Sequence, residues 1–387
     1  MTSLAFISTM EGYPWGGSEY LWAAIAEQAL LQKHRVSISL CDWSIDHPIV
    51  LKLRDQGAQI FPRPRLQKTN ALITRAIKKL SPNASQPSSY LPIFRNHPEA
   101  IFINQGGTYD IVHIPDLVNL LQSSGIPYFI ICHFNTDTTV LDRAQRALAN
   151  QIFADAAGVF FVSQSNLKQA ERQLARSLPN ASVVRNPTNL TEFECVPFPI
   201  GDRVHFATVA RLETLAKGQD ILLEALSSPI WKTRNWQCNL YGSGPDKAYL
   251  EALAAHYGIA DRVVLHGHVS DVRQIWAKNQ LLVLPSRAEG TPLALIEAMI
   301  CGRPTIATDV GGNLEWIEEG QTGFIAEAAT ARSISAALER AWSRQDAWSG
   351  MGIQAHQSAI AKFDFSPGQT LLNLILEPLK SSYVTAS

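Results

Sequence analysis

Short apolar runs alternate with segments of helical spacing along most of the chain. The apolar runs that resemble strands are 4–8, 35–40, 100–103, 127–132, 158–162, 204–210, 236–241 and 281–284. By contrast, residues 18–33 place Leu21, Ile25 and Ala29 on one face of a helix. Buried parallel strands are continuously apolar, whereas an amphipathic helix repeats its apolar positions every three or four residues. The alternation therefore predicts an α/β fold with parallel sheets.

The strand and helix pattern runs through the chain twice, which predicts two doubly wound, Rossmann-like domains facing across a cleft. A chain of 387 residues is also long enough for two domains. We place the first domain at 1–190, a linker that contains Pro197 and Pro199 at 191–201, and the second domain at 202–362. The remaining residues, 363–387, carry leucines at helical spacing and predict a C-terminal helix.

Composition and charge exclude several classes of protein. The chain is 46% apolar with a formal net charge of −1, so it lacks the basic stripe that a nucleic-acid partner requires. The five cysteines are scattered without a CxxC pair, which supports neither a disulfide framework nor a zinc site. A reducing cytoplasm fits this usage. No apolar run reaches the ~18 residues of a membrane span, and the first ten residues lack the basic start of a signal peptide.

The most informative stretch joins the apolar run 281–284 to a predicted helix. Glu289 lies on the connecting loop, and Glu297 lies within the helix, for which Thr291 is a suitable cap and Pro292 a suitable first residue. Backbone amides at a helix N-terminus lack partners within the helix, so those of Thr291 and Leu293 predict an anion site. Two carboxylates beside an anion site suit a ligand with phosphate and hydroxyl groups. The alternative is two solvated glutamates.

Glycine turns follow strands in both predicted domains. Gly16 and Gly17 precede the first helix, which Ser18 is expected to cap, and Gly242-Ser243-Gly244 precedes another helix. Glycine lets backbone amides approach a ligand closely at the carboxyl end of a strand. Neither turn has the GxGxxG spacing of a dinucleotide site, and ordinary turns remain the alternative.

Polar side chains follow three further strands. Arg211 and Lys217 flank the turn after 204–210, where a guanidinium fork and an ammonium group suit a diphosphate; solvated cations are the alternative. In the first domain, a polar loop after 100–103 and His133 after 127–132 are candidates for the same cleft. The loop residues Asn104, Gln105 and Gly106 are candidate acceptor contacts or a simple turn, and a lone histidine is often structural.

These motifs, taken in order, resemble retaining nucleotide-sugar glycosyltransferases of family 4. Glu289 and Glu297 resemble the E-x7-E motif of that family. The segment 210–220, ARLETLAKGQD, resembles its "GRL…KG" element with one extra residue, and Asn186-Pro187 resembles its "NP" turn. The resemblance implies the two-domain architecture called GT-B, with the last helix crossing back to the first domain.

The resemblance also implies transfer of a sugar from a nucleotide-diphosphate sugar, linked to UDP or GDP, with retention and without a metal or other cofactor. Arg211, Lys217, Gly16 and Gly17 would face the diphosphate. Glu289 would bind hydroxyls of the donor sugar, Glu297 would bind the ribose, and His133 would lie near the transferred sugar. The remaining donor-site residues would be Gly242, Gly244, Val269, Gly290, Thr291, Pro292 and Leu293.

The acceptor is left open as a glycan, a lipid-linked molecule or a small metabolite, and the oligomeric state is not indicated. Residues 67–80 are helical in pattern and basic, and they fall on the acceptor side in the family. Peripheral contact with the inner face of a membrane is therefore one expectation, and a solvated helix face is the other. Three other classes of protein are alternatives to a glycosyltransferase: a non-catalytic nucleotide-sugar-binding subunit, a nucleotide-sugar epimerase and a sugar phosphorylase.

Overall fold

The computed structural model describes residues 1–65 and 87–384. The strands are β1 (Ser3–Ser8), β2 (Arg35–Cys41), β3 (Gln59–Arg63), β4 (Ala100–Gly107), β5 (Tyr128–Phe134), β6 (Gly158–Phe161), β7 (Ala181–Val183), β8 (Val204–Val209), β9 (Trp236–Tyr241), β10 (Val263–Gly267), β11 (Leu281–Leu284), β12 (Thr305–Thr308) and β13 (Gly323–Ala326). The basic segment 67–80 lies outside the described residues.

The helices between these strands complete each domain. They are α1 (Glu19–Leu31), α2 (Pro48–Asp55), α3 (Leu91–Arg95), α4 (Pro115–Ser124), α5 (Arg143–Asp155), α6 (Gln164–Leu174), α7 (Thr214–Lys217), α8 (Gln219–Leu226), α9 (Pro229–Lys232), α10 (Lys247–His256), α11 (Val272–Trp276), α12 (Leu293–Ile300), α13 (Ala331–Trp342), α14 (Trp348–Lys362) and α15 (Pro367–Val384). Among the residues described, no helix is both long and apolar enough to cross a membrane.

Within the described residues, two parallel sheets organise the molecule. The first has the order β3-β2-β1-β4-β5-β6-β7, and the second has the order β10-β9-β8-β11-β12-β13. The order reverses beside β1 in the first sheet and beside β8 in the second. In open α/β sheets, ligands bind at the carboxyl ends of the strands that flank such a reversal. The predicted pair of doubly wound, Rossmann-like domains is confirmed.

Each sheet is buried on both faces, which explains why its strands are continuously apolar. In β1, Ala5 and Ile7 belong to one core while Leu4 and Phe6 belong to the core on the opposite face. In β11, Leu281 and Val283 likewise pack on one side and Leu282 and Leu284 on the other. Successive side chains of a strand point to opposite faces, so one apolar run supplies two cores.

The C-terminal helix belongs to the core of the first domain, as predicted. Leu371, Leu372 and Ile375 of α15 pack in one cluster with Leu21 and Trp22 of α1. The two helices approach closely at Gly368, where a Cβ atom would lie 2.7 Å from the backbone of Ala24. The chain therefore returns to the first domain after completing the second.

Strand β4 is longer than the apolar run 100–103 predicts. It continues through Asn104, Gln105, Gly106 and Gly107, so the predicted loop at these residues is wrong. The backbone of this polar segment pairs in register with β5, with Gln105 opposite Cys132 and Gly107 opposite Phe134. Ladder hydrogen bonds to a buried neighbouring strand outweigh the low strand propensity of Asn and Gly here.

We expect Leu372→Ala to lower the free energy of unfolding by about 2–5 kcal/mol, because it leaves a cavity in a fully buried site between α15 and α1. Asn373→Ala, at the next and exposed position, should change it by less than about 0.5 kcal/mol. Urea titration of both variants measures the difference. Equal stabilities would show that α15 contributes no core packing.

Candidate functional site

A cleft of about 930 Å³ lies where the carboxyl ends of the two sheets face each other. Both domains line it, because the segments after β1, β4 and β5 meet those after β8, β9 and β11. The predicted site residues that line this cleft are Gly16, Gly17, Gly106, His133, Arg211, Lys217, Gly242, Val269, Glu289, Gly290, Thr291, Pro292, Leu293 and Glu297. Asn104, Gln105 and Gly244 do not line it.

Glu289 and Lys217 form an ion pair inside the cleft. The Lys217 ammonium donates to both carboxylate oxygens at 2.8 Å, and the Ser286 hydroxyl donates to Oε1 at 2.7 Å. The Glu289 side chain is only 6% exposed, whereas that of Lys217 is 23% exposed. Their parent strands β11 and β8 are neighbours in the sheet, which brings residues distant in sequence together. The pair therefore presents a cation beside a buried carboxylate.

The loop after β11 also makes close contacts between the domains. A Cβ atom on Gly290 would lie 1.9 Å from the backbone oxygen of His133, so only glycine fits there. The Thr291 hydroxyl donates to the backbone oxygen of Val162 at 2.8 Å. Thr291 is thus not the cap of α12, as its position suggested; Pro292 occupies that position. The hydroxyl bonds across the domain boundary instead of to its own helix.

Glu297 lies one turn into α12 and is 2% exposed. Its Oε1 accepts hydrogen bonds from the backbone and side-chain nitrogens of Asn189, at 2.9 and 3.0 Å. Burial raises the pKa of Glu297, and the two bonds from Asn189 oppose that shift. The carboxylate therefore closes the floor of the cleft at the point where the chain leaves the first domain.

Arg211 spans the cleft from the second domain. Its guanidinium carbon lies 4.0 Å from the centre of the Tyr13 ring, and its Nε lies 3.5 Å from Glu213. A guanidinium over an aromatic face is held by the ring quadrupole. Tyr13 was not among the predicted residues, since nothing in a sequence indicates that a tyrosine of one domain meets an arginine of the other.

The glycine turns differ in their relation to the cleft. Gly16 and Gly17 line it and precede α1, where Ser18 occupies the cap position but makes no capping hydrogen bond with its side chain. Gly242 also lines the cleft. Gly244 does not line the cleft, and a Cβ atom at this position would be 2.2 Å from the backbone oxygen of Leu212. Its role in the structure is close packing of two turns.

His133 lies near the end of β5, and its ring is hydrogen-bonded to a buried side chain of the first domain. Its Nε2 lies 2.9 Å from Oδ1 of Asn104, and Nδ2 of Asn104 donates to Glu19 Oε1 at 2.8 Å. Burial lowers the pKa of His133 to about 3, so its ring is neutral near pH 7. Glu19 was also missed from the sequence. The indication in the sequence was its spacing, because an acidic residue at this position lies on the same helix face as the apolar Trp22 and Ala23, which are buried.

Burial raises the pKa of Glu19 to about 7. The hydrogen bond from Trp22 and the positive charge of Arg63 act in the opposite direction. The side chain is 2% exposed, and the Trp22 indole nitrogen donates to its second oxygen at 2.9 Å. Both carboxylate oxygens of Glu19 therefore have partners.

The candidate acceptor contacts separate into two groups. Gly106 reaches the cleft, whereas Asn104 and Gln105 are buried in β4 and bond within the first domain. Gln105 accepts from the backbone nitrogen of Ile111 at 2.7 Å and supports the turn that follows β4. The extension of β4 explains why Asn104 and Gln105 are buried, because it places them in a central strand between β1 and β5.

Two further acids were not predicted from the sequence. Glu11 and Asp110 line the first-domain side of the cleft, and burial raises the pKa of each. Asp110 also accepts from the backbone nitrogen of Gly107 at 2.9 Å. Acids therefore line both walls of the cleft, because Glu213, Glu289 and Glu297 lie on the second domain. The cations Arg211 and Lys217 lie on the second domain as well, and the described first-domain lining contains no lysine or arginine.

Comparison with known proteins gives similarities at two levels. Residues 203–344 match the family described as "Glycosyl transferases group 1". N-acetyl-alpha-D-glucosaminyl L-malate synthase of Bacillus anthracis is 32% identical over 124 residues, which are 32% of this chain and 32% of that protein. Alpha-D-kanosaminyltransferase of Streptomyces kanamyceticus is 29% identical over 171 residues, 44% of each chain. The alignments thus span less than half of these relatives.

Similarity of fold extends over nearly the whole chain. The crystal structure of Anabaena HepE in complex with UDP and glucose superposes with a TM-score of 0.72 and 19% identity, covering 98% of this chain and 100% of that one. In sequence, the second domain is therefore similar to the group 1 glycosyl transferases, and the chain as a whole has the GT-B fold.

Proposed function

We propose that this protein transfers a sugar from a nucleotide-diphosphate sugar to an acceptor hydroxyl, with retention of the anomeric configuration and without a metal. The observation that carries this proposal is the placement of Lys217, Glu289 and Arg211 in one cleft between the two domains. That cleft has the chemistry such a donor needs, namely cations for its diphosphate and buried carboxylates for its hydroxyls. Retention rests on the resemblance of Glu289 and Glu297 to the family 4 motif.

The leaving group would be stabilised by the second domain. Cleavage of the donor increases the negative charge on the diphosphate, and groups held in place before the reaction stabilise that charge most effectively. Arg211 and Lys217 are two such groups, and the N-terminus of α12 opens on the same cleft at Leu293. These groups would take the part that a metal ion plays in other transferases.

Glu289 would act on the donor sugar. Its carboxylate is fixed by Lys217 and Ser286, so a hydroxyl of the donor sugar would donate its hydrogen bond to a carboxylate that is already oriented. Glu297 would bind the ribose from the floor of the cleft, and the turn at Gly242 together with Val269 would enclose the base. His133 would lie beside the transferred sugar at the junction of the domains. We assign no general base, because the departing phosphate oxygen is able to take the acceptor proton.

The first donor to test is UDP-linked. The solved HepE structure, which has a similar fold, contains UDP and glucose. A glycan, a lipid-linked molecule or a small metabolite remains the acceptor in this proposal. Asp110, Glu11 and the rings of Tyr13 and Trp15 line the acceptor side, which suits a polyhydroxylated acceptor. The five free cysteines support a reducing cytoplasm as the location, and contact with a membrane face stays part of the proposal.

The main alternative is a subunit that binds a nucleotide sugar without turning it over. Intact Arg211, Lys217, Glu289 and Glu297 argue against such a loss of catalysis. An epimerase of the same fold is less favoured, because its pattern of carboxylate and histidine is not found beside Glu297. Release of nucleoside diphosphate with transfer of the sugar distinguishes a transferase from both.

We expect one of UDP, GDP and ADP, or one of their common sugars, to raise the melting temperature in EDTA as much as without it. A ligand at about 100 times its dissociation constant stabilises the protein by roughly 2.7 kcal/mol. A stabilisation abolished by EDTA would contradict the metal-free proposal.

Arg211→Ala should weaken binding of that nucleotide by about 1.5–3 kcal/mol, since it removes a charged hydrogen bond. Arg332→Ala, exposed on α13, is the matched control.

We expect Glu289→Gln to reduce turnover of the donor on the order of a hundredfold while leaving nucleotide affinity largely intact, because the charge that orients the donor sugar is lost. Glu224→Gln, exposed on α8 and outside the cleft, should behave as the unmodified protein. Release of nucleoside diphosphate, coupled to melting temperature as a test of folding, provides the measurement. Unchanged turnover in Glu289→Gln would remove Glu289 from its assigned role.

A further inference from the structure

Three polar side chains form a hydrogen-bonded chain beneath the first-domain wall of the cleft. Glu19 is 2% exposed, Asn104 1% and His133 7%. Trp22 donates to one oxygen of Glu19, Asn104 Nδ2 donates to the other, and Asn104 Oδ1 faces His133 Nε2 at 2.9 Å. These hydrogen bonds join α1, β4 and β5, and the last residue of the series, His133, lines the cleft.

The chemistry of the two ends fixes the direction of every bond. Above the raised pKa of Glu19, at about pH 8, its carboxylate is largely ionised and only accepts hydrogen bonds, so the side of Asn104 that faces it is then the amino group. The carbonyl oxygen of Asn104 then faces His133 and also only accepts. The hydrogen between them must therefore belong to His133 Nε2. Since burial keeps the imidazole neutral, Nδ1 carries no hydrogen.

The remaining ring nitrogen lacks a partner in the protein. Within residues 1–65 and 87–384, Nδ1 of His133 is a buried atom that makes no hydrogen bond. Leaving a buried acceptor unpaired is costly, and such atoms in native structures commonly mark a place that a ligand or water completes. Here the atom belongs to a cleft-lining residue at the junction of the domains, beside Gly290.

We propose that Glu19 and Asn104 are positioning residues, which hold His133 in the tautomer that has hydrogen on Nε2 and so keep Nδ1 as an acceptor for a hydroxyl of the bound sugar. The first half of this inference concerns the free protein alone. The second half, that the hydroxyl belongs to a sugar, rests on the proposed function. A positioning chain of this kind determines a tautomer without touching the substrate.

The test is ¹⁵N NMR of the full chain labelled at histidine, recorded at about pH 8 so that Glu19 is largely ionised. His133→Gln identifies the His133 signals by their disappearance. The neutral ring nitrogens have well-separated shifts according to which one carries hydrogen. We expect Nε2 of His133 to carry it in the unmodified protein. Hydrogen on Nδ1 overturns the proposal without any variant.

Two matched substitutions at Asn104 test its contribution. Asn104→Leu has similar volume but no acceptor, so the Nε2 resonance should shift as its hydrogen bond is lost. Asn104→Asp retains an acceptor oxygen towards His133, and hydrogen should stay on Nε2. Identical ring shifts in Asn104→Leu and the unmodified protein would show that Asn104 does not hold the ring.

Glu19→Met tests the far end of the chain. Without the carboxylate, the Asn104 carboxamide is free to turn, and the His133 ring shifts should move towards the average of two tautomers. Unchanged shifts would remove Glu19 from the positioning role. The release of UDP from UDP-glucose, measured on the same variants, is a separate arm. A single Nε2–H tautomer without turnover would support the positioning chain and count against the proposed transferase.

Discussion

The close approach of Gly290 to the backbone of His133 sets how near the two domains come to each other. At this point the second domain has no side chain, and a single added carbon atom would lie 1.9 Å from the His133 oxygen. The Thr291 hydroxyl bonds to the first domain one residue later. Glu289 is the residue immediately before this contact. The ion pair of Glu289 with Lys217 forms within the second domain. Its distance from the first-domain wall of the cleft therefore depends on the contact at Gly290.

The cations of the cleft lie on one side of the same boundary. Arg211 and Lys217 both belong to the second domain, together with the acids Glu213, Glu289 and Glu297, whereas the described first-domain lining has Glu11 and Asp110 and neither lysine nor arginine. Tyr13 connects the two walls, because its ring supports the Arg211 guanidinium from the opposite domain. For the proposed reaction, this division would keep the anionic leaving group on one side. The other side would suit hydroxyl groups better than a further phosphate.

The sequence predicted the parts of this arrangement that follow from strand order. Glu289 and Lys217 come after β11 and β8, and neighbouring parallel strands bring such residues to one edge of a sheet. The end of β4 could not be placed, because backbone pairing with β5 continues through residues that disfavour strands. The meeting of Tyr13 with Arg211, and of Thr291 with Val162, depends on how two separate domains dock. No local pattern encodes that geometry, so these contacts required the structure.

The return of α15 to the first domain means that the chain passes between the domains twice. One passage follows β7 towards β8, and the other follows α14. Two covalent connections restrict how far the domains are able to move apart, and rotation about the line that joins the two connections stretches neither of them. A rotation of this kind that opens the cleft would separate the Tyr13 ring from the Arg211 guanidinium.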